Sequence, residues 1–505
     1  MEPPNFKYAR QIMRSPLFLS QPIEEQRNVL FQILQTGEIP QKDLNRIVAE
    51  ERQRQKERQE TVDLANFLNS LDYNTFLTFV VSGQIRGEKL LALCGGSEKL
   101  NGYCNRGFQL RNASGNPVGQ PQDQYLFRVL LEKMGVRNAI NPRRTYIDKT
   151  IGGVVLGFGN NDYGQLGIGN QLDRDHPVLI PNFKNIVQVS TNLSTSYLLD
   201  SRGRVFSFGW GGGNQLGLDE MYKTTPTLIP DLNDVIEISA GGGFALCLDK
   251  YGRVWSFGDG NLGSLGVGDH YKSKELNLIP NFGNIVKVSA GDVGSFCLDN
   301  QGKVWAFGGN DLGQLGLGDI EDRSIPTLIP TLKDIVQIDA GTVFTLCLDK
   351  QGRVWSFGGN DDGQLGLGDN DNRNVPTLNP YLEDIVQVSA GTSFTSQSLC
   401  LDKNGRVWSF GSGEYGALGL DDEENRNIPY LIPSLPFIVE ISCGGQHSLC
   451  LDNQGRVWGF GFTVNGELGL GDDDTDQYIP VLIPGLDNII QVNSKGDHSL
   501  CIRRR

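Results

Sequence analysis

Four short stretches in the middle of the chain decide the fold: IVQIDAG at residues 335–341, LCLD at 346–349, GRVWSFG at 352–358 and GQLGLGD at 363–369. Variants of these stretches recur in the same order along the chain after residue 150. A repeat of this kind is typical of solenoids and propellers, in which each unit buries its apolar face against its neighbours.

The period of the repeat is close to 50 residues. The phenylalanine of the GRVWSFG stretch recurs at Phe158, Phe208, Phe257, Phe307, Phe357, Phe410 and Phe460. The intervals are 50, 49, 50, 50, 53 and 50 residues, which gives seven units. The repeat region begins with a GRVWSFG-type stretch at residues 154–159. It ends with IVQIDAG-type and LCLD-type stretches at residues 489–502, which no further GRVWSFG-type stretch follows. We therefore expect residues 154–159 and 489–502 to share one sheet, which closes the ring and removes exposed sheet edges.

Each unit is expected to form about four short strands, because glycine, asparagine, aspartate and proline interrupt its apolar runs. The runs SLCL and RVWSF do not alternate cleanly between apolar and polar residues, which is expected for strands covered on both faces. No helical segment of ten or more residues is visible after residue 150. The sequence thus predicts an all-β seven-bladed β-propeller over residues 151–505.

The four stretches resemble the repeat of the regulator of chromosome condensation family over about residues 151–502. The resemblance implies a seven-bladed propeller that binds other proteins. The founding member of that family exchanges guanine nucleotide on a Ran-like small GTPase through a projecting wedge, and we find no insertion of comparable length. Some members sense ultraviolet light through tryptophans in Gly-Trp-Arg-His-Thr segments. Such segments are absent here, which argues against photoreception.

Charge differs sharply between the two parts of the chain. Residues 1–150 hold 21 Lys and Arg against 16 Asp and Glu, for a net charge of +5, whereas residues 151–505 carry −19. Because phosphate binding needs a positive surface, we do not expect the propeller to bind nucleic acid. The longest apolar stretch, near residues 76–81, is far shorter than the ~20 residues of a membrane helix. The N-terminus lacks the order of a secretory signal. We expect an intracellular protein, cytoplasmic or nuclear.

The residues that most often suggest chemistry occur here at repeat positions, which favours structural roles. Six cysteines occupy one position and are expected to act as small core hydrophobes: Cys247, Cys297, Cys347, Cys400, Cys450 and Cys501. Five tryptophans share another position, and His447 and His498 fill a slot that holds Phe in other units. Neither a zinc-binding spacing nor a P-loop is present. We therefore expect no catalytic residue, cofactor or metal site.

Departures from the repeat are better candidates for function, because repeats build the scaffold while loops carry binding residues. Trp210 and Gly211 open a Trp-Gly-Gly-Gly segment, which we expect to be a loop, where four other units carry Gly, Asp or Asn. The sixth unit has three extra residues within 393–398, a segment that includes Ser393, Ser396 and Gln397. Exposed aromatic residues and loop insertions often anchor partners. These five residues are our candidates for partner binding.

The first 150 residues are expected to form a separate α-helical region. Residues 1–20 should be poorly ordered, residues 21–61 should form polar helices or a linker, and residues 62–150 should form a small helical domain. The order of apolar segments over about residues 62–136 is similar to an F-box-type module, although the Leu-Pro pair that usually opens that module is missing. The resemblance implies binding to a Skp-type ubiquitin-ligase adaptor. A helical cap or spacer is the alternative.

The leading functional hypothesis is a non-enzymatic protein-interaction scaffold. Its propeller would present loop faces to a protein partner, and the helical module would couple that partner to an adaptor, in one version for ubiquitin-ligase recruitment. Two alternatives remain open: nucleotide exchange on a Ran-like small GTPase, and a chromatin-associated regulator. The negative charge of the propeller disfavours the second.

Overall fold

The computed structural model of the chain describes residues 152–268, 273–280, 283–392, 396–471 and 475–504. The predictions for the N-terminal region, including the F-box-like module, lie outside these residues. Within the described residues, no helix is long and apolar enough to cross a membrane.

The described residues form 28 strands in seven four-stranded antiparallel sheets. The inner strand of each sheet comes from an IVQIDAG-type stretch: β3 (Ile186–Asn192), β7 (Val235–Ala240), β11 (Ile285–Ala290), β15 (Ile335–Ala340), β19 (Ile385–Ala390), β23 (Ile438–Cys443) and β27 (Ile489–Asn493). The second strands come from the LCLD-type stretches: β4 (Thr195–Asp200), β8 (Phe244–Asp249), β12 (Gly294–Asp299), β16 (Phe344–Asp349), β20 (Gln397–Asp402), β24 (His447–Asp452) and β28 (His498–Arg503).

The third strands carry the GRVWSFG-type stretches: β1 (Val154–Gly159), β5 (Val205–Trp210), β9 (Val254–Gly258), β13 (Val304–Gly308), β17 (Val354–Gly358), β21 (Val407–Gly411) and β25 (Val457–Gly461). The outer strands complete each sheet: β2 (Arg174–Leu179), β6 (Tyr222–Leu228), β10 (Ser273–Leu278), β14 (Arg323–Leu328), β18 (Arg373–Leu378), β22 (Arg426–Leu431) and β26 (Gln477–Leu482). Short 3-10 turns span Asn261–Gly263 and Glu414–Gly416.

The ring is closed by a sheet that both ends of the repeat region share. Its strand order is β2-β1-β28-β27, and β1 pairs with β28 from Val154 opposite Arg503 to Gly159 opposite His498. Each inner strand contacts the next one around the ring, and β27 contacts β3. The prediction of a seven-bladed all-β propeller is confirmed.

Because the four strands of a blade alternate in direction, the loops lie on two opposite faces. We call one the AB/CD face, since it carries the loops between inner and second strands and those between third and outer strands. The other, the BC/DA face, carries the loops between second and third strands and those that lead to the next blade. A residue's loop therefore fixes the face on which it lies.

The apolar core lies between neighbouring blades. Phe357 of one blade packs with Phe296, Leu315 and Ile329 of the preceding one, and all four are buried. Gly316, with φ +68°, lies under this ring: a Cβ there would be 2.8 Å from Cδ2 of Phe357. Glycine is required at this position because the backbone conformation and the ring together leave no room for a side chain.

A closed ring of seven polar contacts joins the inner strands. In each blade, the fifth residue of the inner-strand motif accepts a hydrogen bond from the backbone N–H of the sixth residue in the next blade. The accepting residues are Ser190, Ser239, Ser289, Asp339, Ser389, Ser442 and Asn493. The ring satisfies seven buried backbone donors and fixes the spacing of the blades.

The third residue of the motif forms a second set of links. The amide side chains of Gln188, Gln337 and Gln387 each bond both the N–H and the C=O of an inner-strand residue in the next blade. Glu237 accepts only one such bond, from Val288 N–H. At the next seam the equivalent residue is Lys287, which has no acceptor; its positive charge lowers the pKa of Glu237 and so opposes the effect of burial.

We expect the double variant E237Q/K287Q to be more stable than the wild-type chain by about 2 kcal/mol, since it allows three additional hydrogen bonds between blades. Burial raises the pKa of Glu237 to about 7, so this variant also removes a carboxyl that is poorly placed as an ion. The measurement is denaturant unfolding, with Q387L as the reverse variant that removes two bonds. A stability of E237Q/K287Q at or below wild type would contradict the assignment.

One ion pair crosses the central channel. Lys495 lies in the loop after β27, and its ammonium is 2.7 Å from the carboxylate of Asp339 in β15. In a ring of seven blades, these two blades lie opposite each other. The Lys495 ammonium also donates to the carbonyl of Ala340, and both charged side chains are mostly buried. A polar cavity of about 180 Å³ lies in the channel beside this pair.

Candidate functional site

The AB/CD face carries an exposed aromatic cluster where two blades meet. Trp210 is 39% exposed and Tyr163, from a loop of the preceding blade, is 43% exposed. Their ring centroids are 6.1 Å apart, and the ring planes make an angle of 48°. Met221 and Tyr222, which are 71% and 54% exposed, lie on the segment that pairs with Trp210. We call these four residues the aromatic edge.

The backbone of Trp210 is fixed on both sides. Our prediction that Trp210 lies in a loop is wrong, because the third strand of its blade extends one residue further and Trp210 pairs with Tyr222. Its N–H donates to the carbonyl of Ser194, and its carbonyl accepts from the hydroxyl of Thr195. The indole is therefore held on a regular strand, which lowers the entropy that a bound partner must remove.

The glycines after Trp210 allow the indole to lie flat. A Cβ at Gly212 would be 2.6 Å from Cζ2 of Trp210, and one at Gly211 would be 2.4 Å from the carbonyl oxygen of Glu220. Gly211 also donates its N–H to the carbonyl of Met221. The candidate residue Gly211 thus supports the cluster through its backbone.

The tryptophans at the repeat position have partners that Trp210 lacks. Four of their indole N–H groups donate to an aspartate of the same blade: Trp255, Trp305, Trp355 and Trp458. Arginine guanidinium groups lie 5.6–5.8 Å from the ring centroids of Trp255, Trp355, Trp408 and Trp458. Among the described residues, Trp210 has neither a partner for its indole N–H nor a cation over its ring. Trp210 therefore differs from the repeat tryptophans, because its exposed indole makes neither of these contacts with the described residues.

Charge is segregated between the two faces of the propeller. The described residues of the AB/CD-face loops between third and outer strands include 20 acidic residues and no basic residue: 160–173, 211–221, 259–268, 309–322, 359–372, 412–425, 462–471 and 475–476. The described BC/DA-face loops hold 12 basic and 6 acidic residues: 180–185, 201–204, 229–234, 250–253, 279–280, 283–284, 300–303, 329–334, 350–353, 379–384, 403–406, 432–437, 453–456 and 483–488. Some of the acidic side chains pair with arginines, as Asp319 does with Arg323 at 2.6 Å. The AB/CD face therefore carries most of the negative charge of the propeller.

The buried cysteines and histidines take structural roles. Burial raises the pKa of the Cys247 and Cys347 thiols well above the usual range, so these thiols stay protonated. Burial lowers the pKa of His447 and His498 to about 3, and their Nε2 atoms contact the hydroxyls of Ser499 and Ser196. Within the described part of the chain, no cluster of three or more metal-ligating side chains is present.

Comparison with known families identifies the repeat. The regulator of chromosome condensation (RCC1) repeat matches seven segments: residues 152–191, 202–248, 251–298, 301–348, 351–396, 404–451 and 454–502. These segments make up more than half of the chain. The chain belongs to the regulator of chromosome condensation family.

Individual relatives in this family match only part of the propeller. The ultraviolet-B receptor UVR8 of Arabidopsis thaliana is 38% identical over 73 residues, which cover 14% of this chain and 17% of that protein. The human regulator of chromosome condensation is 42% identical over 48 residues, 9% of this chain and 11% of that protein. The human probable E3 ubiquitin-protein ligase HERC3 is 36% identical over 74 residues, 14% and 7% respectively. The matches span less than a fifth of each of these relatives.

Two solved structures share the fold. Human WBSCR16 superposes with a TM-score of 0.63 at 23% identity, covering 70% of this chain and 99% of that one. Yeast RCC1 (Prp20), in its complex with Kap60, gives a TM-score of 0.65 at 22% identity, covering 72% and 92%. At this level of identity the similarity establishes the propeller fold.

The described residues of the second departure from the regulator of chromosome condensation repeat, Ser396 and Gln397, belong to another blade. Ser393 lies outside the described residues, and Ser396 is buried. Gln397 is also buried, and its amide donates to the carbonyls of Gly444 and His447 in the next blade. The structure does not bring Ser396 and Gln397 near Trp210, because their blade and that of Trp210 are not neighbours around the ring.

Sequence reasoning missed three residues of the aromatic edge: Tyr163, Met221 and Tyr222. Tyr163 belongs to the first repeat unit and Tyr222 to the second, so no short motif contains both. Neighbouring blades bring them together, as shown by the hydrogen bond from Gly169 N–H to the carbonyl of Thr224. A comparison of the seven units position by position would have marked Tyr222, because five other units carry Asp or Asn there, but not Tyr163, because the sixth unit has Tyr415 at the same position.

Proposed function

We propose that this member of the regulator of chromosome condensation family is a non-enzymatic protein-interaction scaffold. Its AB/CD face binds a protein partner at the aromatic edge, and residues 62–150 act as an adaptor module. In the ubiquitin-ligase version of the proposal, that module binds a Skp-type adaptor. The observation that carries the proposal is an exposed, pre-ordered aromatic cluster on a propeller whose repeat tryptophans all have structural roles.

Aromatic residues support this proposal because they supply much of the binding energy of protein interfaces. Trp and Tyr are the residue types most enriched among interface positions whose truncation weakens binding strongly. At the aromatic edge, Trp210 and Tyr163 expose parts of their rings on a rigid sheet junction. Four residues with large exposed side chains lie together there, whereas single exposed hydrophobic residues are common on any protein surface.

We expect W210A to lower recovery of the partner at least tenfold, because truncation of a central aromatic anchor costs 2 kcal/mol or more, about a thirtyfold change in affinity. The measurement is quantitative affinity capture from the native cell with the tagged full-length chain. Y251A is the matched control, since Tyr251 is an exposed aromatic residue on the BC/DA face. If wild type and W210A recover the same partners in the same amounts, the aromatic edge is not the surface that binds the partner.

The adaptor half of the proposal is tested with a chain that lacks residues 1–150. All strands of the closed ring lie between Val154 and Arg503, so the propeller keeps its own core in this variant. We expect the propeller partner to be retained and a Skp-type adaptor to be lost. If the full-length chain recovers no Skp-type adaptor, the ubiquitin-ligase version is eliminated while the interaction proposal stands.

A further inference from the structure

The aromatic edge also indicates what kind of side chain it receives. We propose that it binds a cationic side chain, arginine or lysine, carried by a basic segment of the partner. The inference rests on the proposed function, because it assigns the chemistry of the partner at the same surface.

The first argument is the geometry of the two rings. Trp210 and Tyr163 are inclined by 48° at a centroid separation of 6.1 Å, so they form a notch in which both rings are partly exposed. The electron-rich face of an aromatic ring attracts a cation within about 6 Å of its centroid, and Trp does so most strongly. A guanidinium or ammonium group in this notch would contact both rings.

The second argument is that the propeller already uses this contact elsewhere. Arginine side chains cover four of its repeat tryptophans, with Arg253 5.6 Å from the Trp255 centroid and Arg353 5.8 Å from that of Trp355. Trp210 has the same ring without such an arginine among the described residues. The nearby Lys223 pairs with Glu220 at 2.7 Å. A cation from another molecule is therefore the complement that this ring lacks.

The third argument is the electrostatic field around the notch. Asp162 and Asp173 lie in the same loop as Tyr163, and Asp219 and Glu220 lie in the loop after Trp210. More broadly, the described loops between third and outer strands on this face hold 20 acidic residues and no basic residue. This field attracts a basic segment from a distance and repels an acidic one. An uncharged apolar segment would pack against the two rings but would not be attracted by the electrostatic field.

The test uses the full-length chain and three synthetic 12-residue peptides of equal length that contain three arginines, three citrullines or three glutamates. Citrulline keeps the shape of arginine without its charge. We expect the arginine peptide to bind at least tenfold more tightly than the citrulline peptide by fluorescence anisotropy in 50 mM NaCl. Its affinity should fall as salt is raised, because the field of the face is screened.

Variants assign the binding to the notch. We expect W210A and Y163A each to weaken arginine-peptide binding at least fivefold, and W210F to weaken it about threefold, since Phe is a poorer partner for a cation than Trp. Y251A is the matched control: Tyr251 is exposed, but Lys250 and Arg253 of the chain already lie 5.1 Å from its ring centroid. It should bind the peptide like wild type. Thermal unfolding of each variant checks that the fold is retained.

Three outcomes would overturn the inference. Equal binding of the arginine and citrulline peptides would show an apolar site, and unchanged binding by W210A would show attraction to the acidic loops in general. Self-association of the wild-type chain that W210A abolishes would assign the notch to a second copy. In each case, partner capture that still depends on Trp210 would leave the proposed function standing, and capture independent of Trp210 would remove both.

Discussion

Replacement of Lys495 by methionine is expected to lower the free energy of unfolding by about 3 kcal/mol, because it leaves the carboxylate of Asp339 mostly buried without its counter-ion. The two side chains, 10% and 16% exposed, join opposite blades across the channel. Methionine retains the apolar stem of lysine, so the loss reports the charge rather than packing. Denaturant unfolding at neutral pH is the measurement.

The matched variants for this ion pair come from the other blades. Five of the seven blades carry serine where Asp339 lies, and serine still accepts the hydrogen bond from the next blade. D339S alone should lower the free energy of unfolding by about 3 kcal/mol, because it leaves the Lys495 ammonium mostly buried without its counter-ion. D339S/K495M should lower it by about 1 kcal/mol or less. If the loss of the double variant equals the sum of the two single-variant losses, the ion pair does not couple the blades.

The second large effect is expected at Glu467, a buried carboxyl on the AB/CD face. Four units carry glutamine at this position, and in this unit burial raises the pKa of the Glu467 carboxyl from 4.5 to about 7. Between these two pH values the folded chain keeps a proton that the unfolded chain releases. The stability contributed by this group therefore falls as pH rises through this window, and the deficit is complete above about pH 7.

We expect E467Q to be more stable than wild type by about 3 kcal/mol at pH 8 and nearly equal at pH 4, because glutamine cannot ionise. Its carbonyl oxygen can accept the N–H of Asn465, which now donates to the carboxyl. The buried histidines change stability equally in both chains, so the difference between the chains isolates Glu467. E321Q, at an exposed carboxyl on the same face, should change stability by less than about 0.5 kcal/mol at either pH. The same gain for E467Q at both pH values would mean that Glu467 is ionised in the folded chain.

The sequence by itself determined the repeat architecture and the roles of residues that recur in most blades. Trp355 and Cys347 recur at a fixed period, so each must lie in the same local environment in its own blade. The core positions and the number of blades follow from that equivalence. The halves of the motif at the two ends of the repeat region also predicted that the ring closes in one shared sheet.

Only the tertiary structure decided what depends on the order of blades around the ring. Lys495 and Asp339 are far apart in sequence, and no period relates a lysine in one loop to an aspartate in one strand. Tyr163 and Trp210 are in contact because the first two blades are neighbours. The amide of Gln397 donates a hydrogen bond to a carbonyl of the next blade. The physical reason is that a repeat encodes the contacts all units share, whereas these contacts are made by residues in which single units differ.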